Sequence, residues 1–134
     1  MERNIAVVLG SFHKEQVQEM LDEARKTAKE LNLSIVEKVW VPGSMEKPLA
    51  LKRLLMREDI MGAVVLGIIE RGETKHGLVM GHTVMSAIID LQLQFMKPVG
   101  IGILGPEILP DQIAPRLRSY AKKATTAVNA MLLD

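Results

Sequence analysis

Short, unbroken apolar runs alternate along this chain with longer stretches in which apolar residues recur every three or four positions. Residues 4–10 (Asn-Ile-Ala-Val-Val-Leu-Gly) form one such run, closed by glycine, the pattern of a strand buried on both faces. Over residues 14–31, Val17, Met20, Leu21, Ala24, Ala28 and Leu31 share one helical stripe. The alternation continues with a strand over 34–41, a loop at Pro42-Gly43-Ser44 and a short helix over 49–56 that begins near Pro48. A third strand covers 62–69, a third helix 75–95 and a fourth strand 99–104. Residues 106–115 are a proline-punctuated connection with room for a helix start, and 116–133 the last helix.

Apolar strands separated by helices predict a parallel sheet covered on both faces, an α/β three-layer sandwich. Right-handed crossovers favour a flavodoxin-like strand order, 2-1-3-4. A length of 134 residues without linker, repeat or low-complexity run fits a single domain over 1–134. Ligands in such sheets sit beyond the carboxyl ends of the strands. The chemistry is therefore sought after strand one (Gly10 to His13), after strand two (Val41 to Glu46), after strand three (Glu70 to His76) and from Gly105 onward.

Composition narrows the field. The chain has no cysteine, which excludes disulfide scaffolds, zinc–cysteine sites, iron–sulfur clusters and thiol nucleophiles. Seventeen basic residues against sixteen acidic ones give a formal charge of +1, with no general pull toward nucleic acid or anionic membrane. No run reaches the roughly eighteen apolar residues of a membrane span, and the first ten residues lack a signal-peptide pattern. A soluble, cytoplasmic protein is expected. The only aromatics are Phe12, Trp40, Phe95 and Tyr120, so one at a strand end stands out.

The loop Gly67-Ile-Ile-Glu70-Arg71-Gly72-Glu73-Thr74-Lys75-His76 is the richest. It has near P-loop glycine spacing, but Glu73 stands where that motif needs lysine, and the dinucleotide fingerprint is missing too. Gly72-Glu73-Thr74 opens a helix whose free N–H groups suit a small anion; a plain turn with a solvated charge run is the other reading. His76 falls in the first turn, where the helix dipole works against a protonated ring, and a neutral imidazole there can accept a proton. An exposed N-terminal histidine would look the same. His82 lies six residues on and His13 in another loop, so no metal site is expected. Glu46 either caps the following helix or accepts hydrogen bonds from a polyol. Phe12 either stacks on a planar heterocycle or packs beneath the first helix. Arg116 suits a phosphate; Arg118, Lys122 and Lys123 read as a solvated face.

Taken together, these loops resemble the 6,7-dimethyl-8-ribityllumazine synthase family over nearly the whole chain. The most specific part is Gly67-x-x-x-Arg71-Gly72-Glu73-Thr74-x-His76, followed by Val41-Pro-Gly-Ser-Met-Glu46-x-Pro-Leu-Ala50. Lys97-Pro-Val-Gly-Ile-Gly-Ile-Leu-Gly-Pro106 and Arg116 are similar to the archaeal branch. The resemblance implies a ring of five, sometimes packed into an icosahedral shell, with active sites between neighbouring subunits. It implies condensation of 5-amino-6-ribitylaminouracil with 3,4-dihydroxy-2-butanone 4-phosphate, with no metal or organic cofactor. By the same resemblance His76 transfers protons and Phe12 stacks on the pyrimidine. Ser44, Met45 and Glu46 line the ring and ribityl site, and Ile68, Ile69 and Glu70 present the strand end. Glu73 and Thr74 sit where a helix start holds the phosphate, Ile101 borders the site, and Arg116 arrives from a neighbour.

The chain also departs from the family pattern. His13 replaces an asparagine, Met45 a Phe or Val, Lys47 an aliphatic residue and Glu70 an isoleucine; Ile101 occupies an often aromatic position. Gly77 and Leu78 stand where an acidic residue usually follows the histidine. Two rival readings share the fold: an archaeal-type riboflavin synthase, against which Glu73, Thr74 and His76 argue, and a non-catalytic flavin- or lumazine-binding assembly protein.

Overall fold

The computed structural model describes residues 3–132. Four strands, β1 (Asn4–Gly10), β2 (Ser34–Val41), β3 (Gly62–Glu70) and β4 (Val99–Ile108), pair in parallel in the order β2-β1-β3-β4. The helices are α1 (Lys14–Glu30), α2 (Lys47–Leu55), α3 (His76–Phe95), the short α4 (Pro110–Ile113) and α5 (Leu117–Met131). The flavodoxin-like α/β order expected from the apolar alternation is the one observed.

Side chains on β1 and β3 alternate between two cores, which explains why these strands read as continuous apolar runs. Val7, Leu9, Val64 and Leu66 face one layer with Met20 and Leu21 of α1 and Leu117 and Val128 of α5. Ala6, Val8, Ala63 and Val65 face the other with Leu51 and Leu55 of α2 and Ile88 of α3. Each fully buried aliphatic side chain of this kind contributes roughly 1.5–3 kcal/mol. On β4, Gly100 and Gly102 leave room for α5: a Cβ on Gly102 would stand 3.2 Å from Ala124 Cβ and 2.7 Å from Leu66 Cδ2.

Several boundaries differ from the sequence reading. β4 runs to Ile108 instead of stopping at residue 104, and β3 gains Glu70. The ladder shifts register between Ile68 and Glu70, so that Glu70 pairs with Ile108, and Arg71 N–H donates to Ile108 O at 2.8 Å. Gly105, at φ 97°, makes the bend that an L side chain would resist. Pro106 suggests a loop, but pairing resumes beyond it. Helix α2 starts at Lys47 because Pro48 sits in its first turn, where a missing N–H costs nothing. Its far end is tied down by Lys97, whose Nζ donates to Leu55 O at 2.8 Å and Arg57 O at 2.9 Å. Arg116 lies in a 3-10 turn ahead of α5, and the expected helix end at residue 133 falls outside the described residues.

Helix α3 is long and apolar enough to cross a membrane by length and composition alone, yet only 17% of that stretch is buried. Val79, Ile89, Leu93 and Met96 project from it into the open.

Candidate active site

A cavity of about 430 Å³ opens at the carboxyl ends of β1 and β3, beside the point where the strand order reverses. Phe12 enters it from the β1–α1 loop. Pro42, Gly43, Ser44, Met45 and Glu46 form one wall between β2 and α2. Ile68, Ile69 and Glu70 form the strand-end wall, and Gly72, Thr74, His76, Gly77 and Met80 close the side made by the β3–α3 loop and α3. Nine of the twelve residues singled out in the sequence thus meet in one hollow. Among the described residues no group of three or more His, Cys, Asp or Glu side chains is arranged to hold a metal.

Two alternatives left open by the sequence close. Phe12 is 51% exposed, so it is a rim residue and not part of the packing under α1. Glu46 precedes α2 but makes no side-chain cap bond, leaving its carboxylate at the cavity. Thr74 acts locally, its Oγ1 accepting the His76 backbone N–H at 3.2 Å and fixing the entry into α3. The His76 ring itself is exposed, and no described side chain holds it. Leu78, where an acid would orient it, cannot.

Glu73 is exposed beside the cavity without lining it. Ile101 packs with the α2–α3 core from β4, and Arg116 donates to Gln112 O at 2.9 Å; neither reaches this hollow. Arg118 pairs with Glu19 at 3.1 Å, consistent with the solvated face read from the sequence.

Two departures from the family pattern meet. His13 Nε2 lies 3.1 Å from Glu70 Oε1, both side chains partly exposed. His13 takes a left-handed backbone conformation (φ 55°, ψ 50°) and its ring centroid lies 4.2 Å from that of Phe12. The Glu70 carboxylate at the strand end thus has a partner, which in turn flanks the rim aromatic. Fifty-seven residues separate the two, so their pairing has no local signature.

Lys47 is the site residue whose place the sequence reading missed. It is fully buried, and its Nζ donates to Ser44 Oγ at 3.1 Å. The side chain threads the gap between Gly10 and Gly67: a Cβ on Gly10 would stand 3.1 Å from Lys47 Cε, and one on Gly67 would collide with Nζ. Burial, with no acidic partner, lowers its pKa from 10.5 to about 8. A signal was present: positions 47, 50, 51 and 54 fall on one helical stripe, and the other three are Ala50, Leu51 and Leu54.

Comparison with known proteins identifies the family. Residues 2–133 match the family model described as 6,7-dimethyl-8-ribityllumazine synthase. A protein of that name from Metallosphaera sedula is 39% identical over 127 residues, covering 95% of this chain and 84% of its own length. One from Staphylothermus marinus is 37% identical over 128 residues (96% and 85%), and one from Methanopyrus kandleri 37% over 131 residues (98% and 92%). A match over nearly the full length, on a fold with its loops gathered in one cavity, makes the chain a member of the 6,7-dimethyl-8-ribityllumazine synthase family.

Proposed function

We propose that the protein condenses 5-amino-6-ribitylaminouracil with 3,4-dihydroxy-2-butanone 4-phosphate to 6,7-dimethyl-8-ribityllumazine, releasing phosphate and water, in riboflavin biosynthesis. The observation that carries this reading is the convergence of Phe12, Ser44, Met45, Glu46, Ile68, Ile69, Glu70, Thr74 and His76 on one cavity. In it Phe12 stacks on the pyrimidine, and Glu46 accepts from ribityl hydroxyls. The ends of β3 (Ile68, Ile69 and Glu70) border the ring with Ser44 and Met45. Backbone N–H groups at the start of α3, next to Glu73 and Thr74, receive the phosphate, where donors already wait for the charge that develops as it leaves. His76 moves the protons. Holding the two substrates together supplies much of the remaining acceleration.

The one-domain chain works as a cytoplasmic homo-oligomer, a pentamer or a multiple of five. Supporting this are the apolar side chains that α3 leaves uncovered and the position of Arg116 and Ile101 away from their own cavity. In the ring these two residues serve a neighbour's site, Arg116 completing the phosphate pocket with a cation. Sedimentation giving a monomer would refute that arrangement.

Absorbance tests the reaction. Protein mixed with both substrates should raise the lumazine chromophore above the uncatalysed rate, with phosphate released. His76→Gln should cut turnover by about a hundredfold or more while lumazine still binds. The unheld His76 ring favours one other reading, a lumazine-binding protein without turnover, which predicts binding and no acceleration.

A further inference from the structure

Lys47 is absent from the mechanism just outlined, yet the fold makes a dedicated place for it. Two neighbouring strands carry glycine where any side chain would press on the lysine, and the amine ends beside a serine of the cavity wall. An ammonium has three donors and no acceptor. In the Lys47–Ser44 bond the hydroxyl oxygen must therefore accept, and the single serine proton is left to point elsewhere. Ser44 lines the cavity, so the cavity is a direction open to that proton.

We propose that Lys47 is a positioning residue for ligand recognition. Its ammonium holds Ser44 Oγ as an acceptor and turns the serine hydroxyl into a donor onto an acceptor oxygen of the bound ribitylated heterocycle. The inference rests on the reading of the cavity as the ribitylaminouracil and lumazine site. Once the amine loses its proton it gains a lone pair and can accept from Ser44; the bond reverses and the donor leaves the cavity.

The charged groups around the amine leave this exchange to Lys47 itself. β1 contributes none, β2 contributes Glu37 and Lys38, the turn before α2 contributes Glu46, β3 contributes Glu70, α2 contributes Lys52 and Arg53, and α3 contributes His76, His82 and Asp90. Lys47 forms no ion pair with any of them among the described residues, and Glu70 is engaged by His13. The amine titrates at about 8, within reach of ordinary buffers.

The test is a fluorescence titration of 6,7-dimethyl-8-ribityllumazine into the assembled protein, from pH 6 to 9.5. Wild type, Lys47→Met, Ser44→Ala and the double variant are compared. At pH 6.5 each single substitution should weaken binding by about tenfold, the worth of one hydrogen bond to the ligand. The double variant should be no weaker than either single one. As pH passes 8, wild type should converge on the variants; ionisation of the ligand is common to all four and cancels in the comparison.

Multiplying losses in the double variant, or a wild-type profile parallel to that of Lys47→Met, would overturn the proposal. Should Lys47→Met fail to assemble, Ser44→Ala decides alone, because retention of the wild-type alkaline loss in that variant is equally fatal. Wild type that binds no lumazine at any pH refutes the reading of the cavity and this inference with it. Binding without the coupling refutes only the inference.

Discussion

Replacing Lys47 by Met should stabilise the protein at neutral pH and lose that advantage as the solution becomes alkaline. The unfolded chain holds this proton up to about pH 10.5, whereas burial brings the folded value to about 8. Below pH 8 both states are protonated, and the folded state bears the full cost of an ammonium taken out of water. At about 1.4 kcal/mol per pH unit, the displacement from 10.5 to about 8 amounts to about 3 kcal/mol. Between the two values the unfolded state binds the extra proton, so wild-type stability rises with pH by at most about 1.4 kcal/mol per unit. Above 10.5 the cost is gone. Met fills most of the channel between Gly10 and Gly67 but gives up the Ser44 bond, worth about 1 kcal/mol. The net gain at pH 7 should be about 2 kcal/mol. Guanidinium unfolding of both proteins at one concentration, from pH 6 to 10.5, measures it as a difference in which all other titrations cancel. A Met variant less stable than wild type at pH 7, or a difference that does not change with pH, would refute the reasoning.

Gly67→Ala drives a Cβ into Lys47 Nζ and should cost about 1–3 kcal/mol in thermal or chemical unfolding. Adding Lys47→Met should recover most of the loss, and no recovery would mean the collision lies elsewhere. Glu70→Ile and His13→Asn should show a coupling of up to about 1 kcal/mol in a double-mutant cycle on stability, the scale of a partly exposed side-chain hydrogen bond; additive effects would dissolve the pair. Lys97→Met strips a donor from the carbonyls of Leu55 and Arg57 and should cost about 1–2 kcal/mol, with faster amide exchange at the end of α2. Unchanged exchange there would show that water replaces the amine.

Periodicity carries most of the fold because each strand and helix announces itself locally. Residues 4–10 read as a doubly buried strand, and α1 as an amphipathic helix, with no knowledge of their partners. β4 is legible only to Leu104, since its continuation depends on pairing with β3 across a register shift, a fact about two segments at once. The cavity wall is likewise legible where loops follow strands. Pairings are not: His13 with Glu70 and Lys47 with Gly67 are each contacts between loops or elements remote in sequence. Lys47 also misleads by its type, since a lysine is almost never fully buried, and this one sits on a stripe that its neighbours mark as interior.

The uncovered side of α3 bears on all of these measurements. Val79, Ile89, Leu93 and Met96 present oil to water in the lone chain, and their transfer free energy is recovered only on contact with another surface. In the proposed ring, melting temperature is therefore a function of protein concentration, not a constant of the sequence. Dilution should lower the melting temperature, and a charged residue introduced at Leu93 should remove much of the dependence on dilution by taking away what contact would repay.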